Sequence, residues 1–201
     1  MSASNLSPRT PPHARDRLLD AATVLFASHG YHAIGLRDLA GHIGLHAGSL
    51  YHHIENKQSL LFELIESALN DLIYGTRRQL KRGKNDSERL QLFVQAFVAF
   101  SIDERNRLVL LTRDAVYLTA DQAEQIEQMK STYTEELASI VSARLGQARQ
   151  RGDLQVRFVA GAIVGMLFGQ SQWEISNLPP TQLSNNLSAV VAGMIETCKQ
   201  A

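Results

Sequence analysis

Apolar residues return every three or four positions along almost the whole of this 201-residue chain. A chain patterned that way buries its apolar side chains as helix stripes rather than as the faces of a sheet. Even QLFVQAFVAF, the stretch most like a strand, keeps the helical period instead of alternating. The pattern predicts an all-α fold of about nine helices without an internal repeat, and a hydrophobic content of 44% supplies the core.

The breaks between helices are marked by local chemistry. Thr10-Pro11-Pro12 reads as a cap with proline in the first turn, and Leu18, Leu19, Ala22, Leu25 and Phe26 then carry helix one to Gly30. Leu36, Leu39, Ala40 and Ile43 make a short second helix that stops at Gly44, and AGSLYHHI opens the third. Asn56 caps a fourth helix that ends in the basic run GTRRQLKRGKND, and Asn85 with Glu88 opens a fifth. The sixth is expected over residues 103 to 117. Thr119 with Gln122, a capping-box pair, starts a long seventh ending near Arg151-Gly152, residues 155 to 175 form the eighth, and Pro180 to Lys199 the ninth.

Several function classes drop out at this stage. FVAGAIVGMLFG, the most apolar stretch, is too short to span a bilayer, and the polar, proline-rich N-terminus has no apolar signal core, so no membrane association and a cytoplasmic location are expected. A single cysteine, Cys198, excludes an intrachain disulfide and a Cys-rich zinc site. A formal net charge of +0 argues against nonspecific coating of nucleic acid, although not against a small sequence reader. There is no phosphate loop, no GxSxG and no HExxH, and Cys198 has no histidine in its half of the chain, so no enzyme activity, cofactor or metal is expected.

Two short helices joined across Gly44 are the signature of a helix-turn-helix. On the third helix Leu50 and Ile54 point inward, four residues apart. Gly48, Ser49, Tyr51 and His52 cover the opposite half, with His53 at its margin. Small residues allow close backbone approach, while the hydroxyl and imidazole groups reach phosphates and base edges, so this surface fits the major groove of DNA. Lys57, in the first turn of the fourth helix, and Arg37, on the second, are candidate phosphate clamps.

The run RLLDAATVLFASHGYHAIGLRDLAGHIGLHAGSLYHHIENKQSLLFELI resembles, without gaps from Arg17 to Ile65, the DNA-binding domain of the TetR family of bacterial transcriptional regulators. LYHHIENK is its most diagnostic part. The resemblance implies DNA contacts at Arg37, Ala47, Gly48, Ser49, Tyr51, His52, His53 and Lys57. It also implies a homodimer reading a pseudo-palindromic double-stranded operator, with repression the usual outcome and activation the alternative; a helical adaptor that binds no DNA would leave LYHHIENK unexplained. The expected division is an N-terminal arm over 1–11, a helix-turn-helix domain over 12–57, and an effector-binding and dimerisation domain over 58–201. Two departures stand out: Gly35 replaces the hydroxyl residue that usually caps helix two, and His46 replaces the one before helix three, where it is a further candidate contact.

All seven histidines fall in the first 53 residues. Their spacing is poor for a metal, and protonation on the DNA-reading side would tighten binding as the pH falls. In the C-terminal part Phe93, Phe97, Phe100, Tyr117, Tyr133, Met166 and Trp173 are candidates for the lining of a small-molecule effector site, although ordinary core is the simpler role for each. Arg113, with Arg105 and Arg107, is the candidate cation for a carboxylate or acyl-thioester group on a hydrophobic or amphipathic ligand, and ion pairs with Asp103, Glu104 and Asp114 are the equal alternative for these arginines. Gly161, Gly165 and Gly169, four apart, permit close helix packing, and the resemblance places the last two helices in the dimer interface, with Val190, Val191 and Met194 as partner surface and burial inside the monomer as the alternative for them.

Overall fold

The computed structural model describes residues 14–52, 54–146, 153–170 and 178–199, and among them every regular element is helical. The chain divides into two compact units, Met1–Leu61 and Phe62–Ala201.

In the first unit, α1 (Ala14–His29), α2 (Leu36–His42) and α3 (Ala47–Leu50) pack around Leu18, Ala22, Phe26, Leu39 and Leu50, all buried. The proline-rich start expected for helix one lies outside the described residues. Gly30 ends α1 with φ 92° while its N–H donates to Phe26 O at 2.8 Å. Gly44 makes the turn between α2 and α3 at φ 70°, a left-handed conformation that glycine adopts without steric cost. Helix α3 is a single turn, shorter than its sequence suggests; the chain continues through Tyr51 and His52 as a turn, held by Ile54 N–H donating to Leu50 O at 3.0 Å.

Helix α4 (Lys57–Leu80) begins in the first unit and continues into the second. Its start is capped reciprocally: Ser59 N–H donates to Asn56 Oδ1 at 2.8 Å and Asn56 N–H to Ser59 Oγ at 3.1 Å. The second unit adds α5 (Asp86–Asp103), α6 (Arg105–Arg113), α7 (Ala120–Leu145), α8 (Leu154–Gln170) and α9 (Pro180–Lys199). The expected sixth helix is split, because after Arg113 the chain tightens into a 3-10 turn over Asp114–Tyr117. Helix α7 opens with the capping box at Thr119 and Gln122, and stops earlier than expected, at Gly146 with φ 107°. The end expected for the eighth helix, residues 171 to 175, lies outside the described residues.

The second core is built where α5 meets α7 and α9 and α7 meets α8. Phe93, Val94, Phe97, Leu137, Ile140, Val141, Val156, Ile163, Leu167, Val191 and Ile195 are fully buried there. Each full burial of such a side chain favours folding by roughly 1.5–3 kcal/mol. Arg144 ties three helices together, donating to Ser87 Oγ at 3.1 Å and to Glu196 Oε1 at 3.1 Å.

Candidate DNA-reading surface and effector cavity

In the first unit the two inward residues of the reading segment behave as their spacing requires: Leu50 is 0% exposed and Ile54 7%. Burying these two turns Tyr51 and His52 outward. Tyr51 is 62% exposed, Gly48 and His52 are exposed and Ser49 is half-buried. His46 precedes α3 as its N-cap, with an extended backbone and no side-chain hydrogen bond to the helix, which leaves its imidazole exposed. Arg37 is exposed in the first turn of α2. The side chains of Ala47 and His53 lie outside the described residues.

Gly35 supplies no capping side chain. Its N–H instead donates to Asp38 Oδ2 at 2.7 Å, so half of a capping box survives. A Cβ at Gly35 would come within 3.2 Å of that carboxylate oxygen, so the missing side chain lets Asp38 fold back. Lys57 sits at the first position of α4 with its Nζ 4.2 Å from the Tyr31 ring centroid and 5.7 Å from that of Phe26. Phe26 and Tyr31 meet edge to face, with centroids 5.4 Å apart. Burial lowers the Lys57 ammonium from its usual range, and Asp38 partly opposes the shift. The aromatic pair therefore holds this ammonium at the N-terminal end of α4, where a phosphate gains from both charge and unpaired backbone N–H groups.

In the second unit, a cavity of about 370 Å³ lies between Leu69 on α4, Leu111 and Thr112 on α6, Lys130, Tyr133 and Thr134 on α7, and Gly161, Val164, Gly165 and Phe168 on α8. Of the described residues anticipated for an effector site, Tyr133 alone lines it. Phe93 and Phe97 stand one layer behind, each 5.0 Å by ring centroids from a lining ring, Tyr133 and Phe168 respectively. Phe100 is core, Tyr117 is 38% exposed and Met166 is half-buried, none of them in the lining. Trp173 lies outside the described residues.

Arg113 takes the second of the two roles its sequence offered, an ion pair with Asp114. Arg113 makes two hydrogen bonds to Asp114, at 2.9 and 2.8 Å, and that carboxylate is almost wholly buried. An unpaired buried charge is costly, so this guanidinium is committed to neutralising its neighbour. Arg107 is held by Asp71 at 2.7 Å and Ser67 at 3.0 Å. The cation of the cavity is Lys130, whose Nζ also meets Glu127 at 2.6 Å. The signal for it was in the sequence: Lys130, Tyr133 and Thr134 share one helix face, as do Gly161, Val164, Gly165 and Phe168.

Burial pushes the Tyr133 phenol well above its usual range. The Thr76 hydroxyl beside it offsets part of that rise, yet the two do not meet as a full hydrogen bond and both oxygens remain buried without a partner.

Gly161 and Gly165, expected from sequence at close helix contacts, are exposed in the single chain and line the cavity; a Cβ built on either would meet nothing within 4 Å. Gly169 is half-buried one turn further on. Val191 is fully buried inside its own chain and has no surface to offer a second copy, whereas Val190 is 50% exposed and Met194 half-buried. The large exposed apolar residues of α8, Leu154 at 82% and Phe158 at 73%, were not anticipated.

A helix-turn-helix unit followed by a helical unit with a ligand-sized cleft open to its surface is the architecture of a ligand-responsive transcriptional regulator, and the chain belongs to the TetR family. Residues 18–64 match the family model of bacterial regulatory proteins, tetR family, and residues 83–175 that of the tetracyclin repressor-like C-terminal domain. The HTH-type transcriptional repressor KstR2 of Rhodococcus jostii is 30% identical over 161 residues, 73% of this chain and 77% of that protein. The HTH-type transcriptional activator FasR of Mycolicibacterium smegmatis is 25% identical over 178 residues, 88% of this chain and 79% of its own. A bacterial regulatory protein in the tetR family from Rhodococcus RHA1 shares the fold with a TM-score of 0.81 at 21% identity, over 92% of this chain and 97% of that one. Among the described residues no helix is long and apolar enough to cross a membrane.

Proposed function

We propose that the protein is a cytoplasmic homodimeric repressor that reads a pseudo-palindromic operator and leaves it when a small, mainly apolar ligand with one anionic group enters the cavity between α6, α7 and α8. The observation that carries this reading is the cavity itself: its aliphatic and aromatic walls suit a hydrophobic body, and Lys130 suits a carboxylate or thioester-linked anion at one end. Arg37, His46, Ala47, Gly48, Ser49, Tyr51, His52, His53 and Lys57 are the DNA contacts of this reading, and the exposed apolar residues of α8 and α9 its dimer surface.

Leu69 lines the cavity and belongs to the same helix as Lys57, twelve residues further along the chain. A ligand pressing on Leu69 thereby acts on the helix that carries a phosphate clamp. Two reading heads spaced by about 34–36 Å bind successive major grooves only while that spacing holds. Weakening operator binding a hundredfold requires the ligand to favour the displaced state by about 2.7 kcal/mol.

Selection of bound sequences from random duplex DNA tests the reading. Recovery of one palindromic motif that a Tyr51→Ala, His52→Ala variant loses supports it, and no enriched motif from protein unfolded and refolded free of ligand refutes it. An activator is the second reading of direction, favoured by the likeness to FasR. Transcription in vitro from a promoter carrying the recovered motif, with and without protein, separates the two.

A further inference from the structure

A second concavity, of about 460 Å³, lies at the far end of α4, and Tyr74, Arg77, Arg78, Lys81, Arg89 and Glu136 line most of it. Tyr74, Arg77, Arg78 and Lys81 stand at i, i+3, i+4 and i+7, so one helical face gathers three cations beside an aromatic ring that is 69% exposed. Glu136 on α7 neutralises Arg77 alone, at 2.8 Å. Arg78 and Lys81 have no ion-pair partner among the described residues.

Compensation of a helix C-terminus accounts for cations at the end of α4, but not for Arg89. Arg89 is the fourth residue of α5, near a helix end that already carries partial positive charge, and its nearest carboxylate, Asp86, is 3.8 Å away. It is also fitted in place: a Cβ on Gly83 would come within 2.6 Å of Arg89 Cγ and 3.1 Å of its backbone N. The turn between α4 and α5 is therefore shaped to let this arginine lie close, against local electrostatics. Like charges gathered in a concavity lower their mutual repulsion by taking up an anion.

We infer that this cleft binds a phosphate-bearing nucleotide, with the phosphates among Arg78, Lys81 and Arg89 and the base against Tyr74. Guanidinium and ammonium groups are the usual phosphate ligands, and an exposed aromatic ring is a sequence-tolerant platform for a base. The site lies apart from the residues lining the effector cavity, so its occupancy is read without DNA or effector.

The test is calorimetric titration of the full-length protein at low salt with adenosine diphosphate, inorganic pyrophosphate and adenosine. Saturable binding of adenosine diphosphate, tighter than that of either fragment, is expected. Arg78→Ala with Lys81→Ala should weaken it by about tenfold or more, and Gly83→Ala, which leaves every cation present, should weaken it by displacing Arg89. Tyr74→Ala should cost affinity for the nucleotide and spare pyrophosphate. Arg78, Lys81 and Tyr74 are all exposed, and unchanged circular dichroism would show that these variants fold. No saturable nucleotide binding, or equal binding by the Arg78/Lys81 variant, overturns the site; pyrophosphate binding as tightly as the nucleotide, with Tyr74→Ala silent, overturns the nucleotide assignment.

Discussion

Gly44 and Tyr133 show how differently single residues declare themselves. The glycine was legible because a turn between two short helices needs a left-handed residue, and the structure gives it φ 70°. Gly44→Ala should destabilise the protein by about 1 kcal/mol in urea unfolding, since a Cβ disfavours that conformation. Tyr133 was legible only as a large aromatic; that its hydroxyl is buried without a partner depends on what α4 and α8 bring against it. Leaving a buried hydroxyl unpaired costs about 1–3 kcal/mol, so Tyr133→Phe should leave the melting temperature unchanged or raise it. A clear drop in melting temperature would mean that the hydroxyl has a partner in solution.

Helix starts were the most readable elements. Asn56, Asn85 and Thr119 each cap where the sequence placed them, because capping pairs residues three apart and needs nothing from the rest of the fold. Which face of a helix borders a cavity is another matter. The glycines of α8 suggested close packing, and in the single chain Gly161 and Gly165 are exposed and border the cavity beside α6 and α7. Gly161→Leu should therefore fold, with a gain of up to about 1 kcal/mol from helix propensity. It should still bind the operator and lose its response to effector. A variant released by effector as readily as the parent would take the ligand out of this cavity.

At the scale of the whole molecule the apolar residues left outside matter most. Leu154 and Phe158 on α8 and Val190 on α9 are exposed in the single chain, and large exposed apolar residues mark association surfaces more often than they serve a monomer. Phe158→Glu with Val190→Glu should yield a monomer in sedimentation equilibrium, with affinity for the full palindrome falling toward that for a half-site. A dimer of unchanged stability would move the interface elsewhere.

The sequence by itself determined the helical class, the helix starts capped at Asn56, Asn85 and Thr119, the stops at Gly30 and Gly44 and the outward turn of Tyr51 and His52, because each follows from interactions between residues a few positions apart. Tertiary structure alone decided that Lys130 rather than Arg113 faces the cavity, that Phe93 and Phe97 support its wall from behind, and that Val191 turns inward while Val190 stays out. A helix carries residues around its whole circumference, and only the packing of its neighbours determines which of them meet an ion partner, a void or water.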